Sequence, residues 1–342
     1  MGTYKGIQGF SVQSLASDPA ADGTATGQLW YNSASNVWKV GTEVTAGAWA
    51  TATVYPLGIR ETLGSSGTQT AALGYMGYSG DPPAPGYINE SYEYDGTSWA
   101  GAVSMNRNTG AYLQGFGSQT AAASGGFYTN VGATVLNTCE EYNGVGWTTV
   151  NNCVNALGLR IGCGTQTAGL EAGGNAVNPS PPVGNTELYD GTTWTEGNVL
   201  STPRRQAGQH NGTQTACFCI GGSPGVPDSS HTVNVEQWNG TSWSETTDVN
   251  TSRTSAGASG TTALALYYGG QTGPSTGVAV TESWNGTSWT EVGDMSVARG
   301  RGGSGGTTNT SAIYFAGGVG AFLDNVEEWN SPFYGLETVT TS

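Results

Sequence analysis

Five glutamates stand two residues ahead of an aromatic side chain: Glu140, Glu187, Glu236, Glu282 and Glu327. Arginines recur beside them, at Arg60, Arg107, Arg160, Arg204 or Arg205, Arg253, and Arg299 or Arg301. Carboxylates and guanidiniums at one recurring position admit two readings, a ring of charge around a central channel or one structural Arg–Glu contact per repeat unit. A glycosidase needs two carboxylates roughly 5 to 10 Å apart, and no pair stands out from the repeat background. The two histidines, His210 and His231, fall in unrelated loops and do not supply a zinc or copper ligand set. No Gly-x-Ser-x-Gly elbow, P-loop or His-Glu-x-x-His helix occurs. These readings predict a chain that is not an enzyme and carries no cofactor and no metal.

The elements that hold these residues repeat. A glycine step recurs every 48 residues, at Gly77, Gly125, Gly173, Gly221, Gly269 and Gly317. In five of the six it is a Gly-Gly pair, and in the first the second glycine is Tyr78. An apolar run precedes most steps, and a variable loop and a Glu-x-aromatic strand follow. Next comes a turn such as Asp95-Gly96 or Asn239-Gly240, then a second aromatic: Trp99, Trp147, Trp194, Trp243 or Trp289. Asn-Gly and Asp-Gly suit the positive φ angles of a type I′ hairpin, so each marks a strand reversal. An Arg-bearing stretch and a Gly-Thr-Gln-Thr element lead into the next apolar strand. Each unit therefore reads as four short strands, the content of a propeller blade.

Composition agrees with short strands and tight turns. The 342 residues include 56 Gly, 11 Trp, 16 Tyr and 7 Phe, and only 10% are charged. The net charge of −15, with Lys5 and Lys39 as the only lysines, repels phosphate backbones and predicts no nucleic-acid partner. No apolar run is long enough to cross a bilayer, and the first residues lack the apolar core of a secretory signal. Five cysteines without a regular framework (Cys139, Cys153, Cys163, Cys217, Cys219) read as free structural thiols.

The run Arg…Gly-Gly…Glu-x-Tyr-Asn-Gly-x-x-Trp resembles the kelch repeat over about residues 55 to 330. The resemblance implies an all-β fold, a six-bladed kelch-type β-propeller with blades of about 48 residues. It also implies that the glycine steps close inner strands, and that Tyr94, Tyr142, Tyr189 and the five tryptophans pack between blades. Sialidases share the six-bladed form, but their Asp-x-Gly-x-Thr-Trp box is not matched, because Asp95-Gly96 and Asp190-Gly191 are adjacent.

The sixth unit lacks its Trp strand after Glu328-Trp329-Asn330. Residues 29–55 are expected to close the ring, with Val37 to Val40 beside the C-terminal strand. The alternative is a seventh partial blade from residues 28 to 55. Residues 1–28 then form an extended docking arm, and residues 29–342 the propeller.

The loops after the glycine steps vary most, and loops on a rigid scaffold are where recognition concentrates. Tyr78, Tyr87, Phe127, Tyr128 and His231 are the side chains there suited to stack on sugar rings or anchor a protein. The stretch Gly27-Gln28-Leu29-Trp30-Tyr31-Asn32…Asn36-Val37-Trp38-Lys39-Val40 resembles an element of tail-fibre and other virion proteins of tailed bacteriophages. That resemblance implies a virion structural protein released by lysis, in a tail, a fibre or the capsid surface. It would be oligomeric in the particle, docked to other virion proteins by its arm and recognising host-surface glycans or proteins. The alternatives are an intracellular kelch scaffold and a glycan-active enzyme.

Overall fold

The computed structural model describes residues 13–18, 28–43, 47–61, 63–80, 86–107, 110–111, 113–129, 134–176, 180–208, 211–225, 230–331 and 334–338. These residues form strands and turns with no helix, so no helix is long and apolar enough to cross a membrane. They fall into two compact units, Ala48–Asn330 and a smaller one from the described parts of Met1–Gly47 and Ser331–Ser342. Residues 29–47, expected within the propeller, thus belong to the smaller unit.

The larger unit is β-propeller-like, a succession of antiparallel sheets in chain order. The second sheet is Gln114–Ser118, Ala121–Gly125, Cys139–Tyr142 and Trp147–Val150, and the third is Ile161–Thr165, Ala168–Ala172, Thr186–Tyr189 and Trp194–Gly197. The fifth follows the same order with Gly257–Gly260, Ala265–Tyr268, Thr281–Trp284 and Trp289–Glu291. The first sheet holds Gly64–Thr68, Ala71–Ser79, Gly86–Tyr94 and Trp99–Ala102, and its hydrogen bonding continues into further short strands. The fourth has three strands, Cys217–Ile220, Val235–Trp238 and Trp243–Glu245. Where its innermost strand would pair, the Asn211 amide bonds both backbone groups of Phe218 instead.

The sixth sheet corrects one expectation. Its members are Gly303–Gly305, Ser311–Phe315, Val326–Asn330 and, as outer strand, Ala48–Thr51. Trp49 stands opposite Trp329 in register and supplies the missing second tryptophan. Val37 to Val40, expected to close the ring there, does lie beside a C-terminal strand, but as part of Val37–Glu43, which pairs with Leu29–Asn32 and Tyr334–Thr338 in the smaller unit, where Gln13–Leu15 adds a parallel strand. Strand choice follows side-chain fit: Trp49 packs on Trp329 and Tyr268 and donates its Nε1 hydrogen to Thr281. The fit of Trp49 across two sheets outweighs the alternating apolar pattern at Val37–Val40.

The hairpins reverse as expected but with different geometry. Gly96 and Gly240 have φ of +91°, yet Asp95 and Asn239 do not share the positive φ that a type I′ turn requires at both central positions. Their side chains instead accept the backbone N–H groups two and three residues on, at 2.7 to 2.9 Å. This side-chain turn, which only Asp and Asn make readily, holds the loop in place of a second left-handed residue.

Adjacent sheets are joined by the glutamines of the Gly-Thr-Gln-Thr elements and of Gly117-Ser118-Gln119-Thr120. Gln119 donates to the carbonyls of Ala72 and Tyr94, Gln166 to those of Ala122 and Tyr142, and Gln214 to those of Gly169 and Tyr189. The core lies between the sheets. Trp147, Trp194, Trp243 and Trp289 are 6 to 7% exposed, and several reach the preceding sheet, as in Trp147 to Ser91 and Trp243 to Thr186. Trp99 is half-buried against Tyr55 and Phe315.

Candidate functional site

The recurring arginines and glutamates form buried ion pairs inside their own sheets: Arg107–Glu140 at 2.9 Å, Arg204–Glu236 at 2.7 Å, Arg253–Glu282 at 2.6 Å, and Arg299–Glu327. Each glutamate also accepts backbone N–H groups of the preceding loop, as Glu282 does from Asn250 and Thr251. Both partners are spent on fixing the loop that enters the sheet. The arrangement is a structural contact in four sheets and engages these four glutamates in holding the loop. The Arg60 side chain lies outside the described residues.

The third sheet departs from the pattern. Its arginine sits three residues later, and Arg160 is shared by Glu171, at 3.2 Å, and Glu187, at 3.5 Å. Glu171 is fully buried. Burial pushes its carboxyl up to about 8, with Glu187 adding to the rise, while Arg160 and the Gly125 N–H pull against it.

The glycine steps explain why the arginine segments can come so close. Gly221 and Gly269 have φ of +60° and +63°. A Cβ there would stand 2.7 Å from the Arg253 carbonyl oxygen and 2.9 Å from that of Arg299, in the next sheet. The following glycines, Gly222 and Gly270, donate to those same carbonyls. Gly77 (φ +123°), Gly173 and Gly317 share the left-handed geometry, whereas Gly125 leaves room for two cysteine sulfurs.

Four of the arginine segments hold a residue with positive φ that is not glycine: Leu159, just before Arg160, and Gln206, Ser255 and Arg301, each two residues after Arg204, Arg253 and Arg299, at +61°, +56°, +53° and +67°. Non-glycine residues in this region cluster where surrounding structure enforces strain, commonly at functional sites. Here a chain of sheet-to-sheet backbone bonds enforces it, from Gln206 to Leu159, Ser255 to Gln206, Arg301 to Ser255, and Leu63 to Arg301. The segment carries buried polar groups with no hydrogen-bond partner: Gln206 Oε1, Thr254 Oγ1, Ser255 Oγ and Gln271 Nε2. Arg301 donates from Nε to Gln271 Oε1 at 3.1 Å. Buried polar groups are nearly always satisfied, and each orphan costs about 1–3 kcal/mol. These amides and hydroxyls, 0 to 4% exposed, gather with the Arg301 guanidinium at one end of the sheets. Sequence reading missed this set, because Gln, Ser and Thr carry no periodic signal.

The same sheet ends carry an aromatic wall. Tyr78 and Tyr87 lie opposite each other at the ends of their strands, not in a loop, with ring centroids 4.9 Å apart. Phe322, in the segment after the sixth glycine step, stacks on Tyr78 at 5.8 Å and is 37% exposed. Of the five side chains expected to bind, Tyr78 and Tyr87 come together. Phe127 and Tyr128 do not qualify as surface groups, being 1% and 4% exposed. Phe127 lies under the Arg107 guanidinium, and the Tyr128 hydroxyl donates to Asn175 Oδ1. His231 is half-buried in the fourth sheet's connection, and His210 and residues 81–85, 178–179 and 226–228 of the expected loops lie outside the described residues.

At the opposite end of the inner strands a cavity of about 550 Å³ is lined by the Gly-Thr and Gly-Ser turns of all six sheets, including Gly67-Thr68, Gly164-Thr165 and Gly260-Thr261. No charged side chain lines it. Neighbouring turns bond each other, Gly212 N–H to the Gly260 carbonyl at 2.7 Å and Gly306 N–H to that of Gly67 at 3.1 Å.

No family model matches the chain, and no curated protein matches it. Among solved structures the fold is similar to that of YjhT, with a TM-score of 0.64 over 81% of this chain and 96% of that one, at 13% identity. At this identity the likeness carries the β-propeller-like fold. It also corrects the expectation that the chain is not an enzyme. A propeller-like fold is compatible with catalysis, and missing short motifs do not exclude it.

Proposed function

We propose that the chain is a closed, six-bladed propeller that serves a bacteriophage particle as a surface component and recognises host-surface glycans at its glycine-step end. The observation that carries this reading is the wall of Tyr78, Tyr87 and Phe322, raised at the end of the sheets that also holds the buried, unpartnered amides and hydroxyls around Gln206, Ser255 and Gln271. Sugars are recognised by aromatic faces against their C–H surfaces together with directed hydrogen bonds to their hydroxyls, and this reading assigns the first role to the wall and the second to the polar set beneath it. Closure is supported by Trp49 in the sixth sheet and by Gln69 donating to the Trp329 carbonyl at 2.9 Å. The virion assignment rests on the Gly27–Val40 sequence element and on the low charge and near absence of lysine.

The test is retention of the full chain on immobilised bacterial surface polysaccharides, with the released reducing ends measured in the same wells. Binding by the wild type that weakens at least about tenfold in Tyr78→Ala, with an unchanged circular dichroism spectrum, is the expected result. Release of reducing ends would add turnover to recognition. Failure to bind any polysaccharide, or absence of immunogold label on particles, overturns the reading.

A further inference from the structure

Cys139 and Cys153 belong to one hairpin of the second sheet. Cys139 opens the strand Cys139–Tyr142, and Cys153 follows the return strand Trp147–Val150. Cys153 N–H donates to the Asn137 carbonyl at 2.8 Å, and the Asn137 amide returns a bond to the Cys153 carbonyl at 2.8 Å, so the two backbones are clamped. The sulfurs face each other at 2.9 Å, well inside the contact distance of two non-bonded sulfur atoms. Both residues are 1 to 2% exposed.

Two other positions in the molecule set this pair apart. In the fourth sheet the matching residues are Val235 and Val249, an ordinary apolar contact in one cluster. And the second glycine step has lost its left-handed geometry: a Cβ on Gly125 would collide with Cys153 Sγ and stand 2.8 Å from Cys139 Sγ. The glycine here makes room for a sulfur pair.

We propose that Cys139 and Cys153 are a disulfide-forming pair, closed when the protein meets an oxidising environment. The co-reactant is a low-molecular-weight disulfide such as oxidised glutathione. One thiol gives up its proton and attacks the reagent's sulfur, expelling one thiolate and leaving a mixed disulfide. The second thiol, deprotonated in turn, displaces the other thiolate. One S–S bond forms, one breaks, and two electrons and two protons pass to the reagent. Cys219, buried and bonded to Arg204, is the internal comparison. This inference is independent of the proposed glycan and virion roles.

The test uses the full folded chain, held for a day in excess oxidised glutathione, then denatured, alkylated with iodoacetamide, digested and analysed by mass spectrometry. The expected product is a cross-linked peptide joining Cys139 to Cys153. The oxidised protein should also melt about 5 °C above the reduced one, and Cys139→Ala/Cys153→Ala, in which the packing is kept apolar, should lose that redox dependence. Cys139 and Cys153 both alkylated after oxidation, or a melting difference that persists in the double variant, overturns the proposal.

Discussion

The Tyr94 hydroxyl donates to Glu328 at 2.8 Å, joining the first sheet of the larger unit to the last across 234 residues. The same bond recurs between neighbouring sheets, Tyr142 to Glu93 at 2.7 Å and Tyr189 to Glu141 at 2.8 Å. Burial and the adjacent carboxylate push each of these phenols upward, so they remain donors throughout the working pH range.

Tyr94→Phe removes the bond between the first and last sheets and nothing else. A hydrogen bond to a charged acceptor contributes roughly 1.5–3 kcal/mol, and the half-buried Glu328 places this one at the lower end. Urea unfolding should report a loss of about 1–2 kcal/mol, similar for Tyr142→Phe. A negligible loss for Tyr94→Phe alone would mean that the first and last sheets are not held together as the inner ones are.

Arg253 and Glu282 offer a sharper contrast. Arg253 also lies 4.1 Å over the Tyr267 ring, and both ion-pair partners are fully buried. Arg253→Met strands a buried carboxylate and should cost about 3–5 kcal/mol. Arg253→Met with Glu282→Gln, which removes the stranded charge and keeps one oxygen to accept from Asn250 or Thr251, should recover part of that. No recovery would show the arginine's ring contact, not its charge, to be the stabilising element.

Much of this was legible in the chain. The glycine steps, the paired aromatics and the Asp-Gly or Asn-Gly reversals lie in the sheets they suggested, because each answers a backbone or packing requirement repeated five or six times along the chain. The outer strand of the sixth sheet was harder to see. Trp49 lies 50 residues before Trp99, close to one period away, but Ala48–Thr51 has a single large side chain, and the more apolar Val37–Val40 carries the stronger strand pattern. Phe127 and Tyr128 follow a glycine step and so read as loop. What buries them is Arg107 and Asn175, contacts between segments that no local pattern announces. The polar set at Gln206, Thr254, Ser255 and Gln271 depends on backbone strain, which the sequence displays only where the residue is glycine.

Trp49 yields a third prediction. Trp49→Ala should lower stability by about 2–4 kcal/mol, somewhat less than for a fully buried tryptophan, and should leave the edge of Val326–Asn330 poorly covered. An exposed edge invites intermolecular pairing. Light scattering on heating should therefore show earlier aggregation in this variant than in Trp38→Ala, whose side chain is 42% exposed. Equal behaviour of the two would argue against Ala48–Thr51 as the outer strand of the sixth sheet.

Glu171 sets a pH dependence. The unfolded chain releases this proton near the ordinary glutamate value of 4.5, the folded chain at about 8. Between those values the folded state holds the extra proton, so stability falls as pH rises, and the loss is complete above the folded value. From about pH 5 to about pH 8.5 the melting temperature of the wild type should drop more steeply than that of Glu171→Gln. Parallel curves would indicate a carboxylate kept ionised by Arg160.

The pairing of Ala48 with Asn330 has a mechanical meaning. These residues are the first and last of the larger unit, so the chain enters and leaves it at neighbouring positions on one antiparallel strand pair. Tension applied through both exits loads that pair from its open end, and its hydrogen bonds break in succession instead of sharing the force. A molecule tethered at residues 48 and 330 should therefore begin to unravel at low force, peeling Ala48–Thr51 away first. A single high-force rupture in optical tweezers would contradict this geometry.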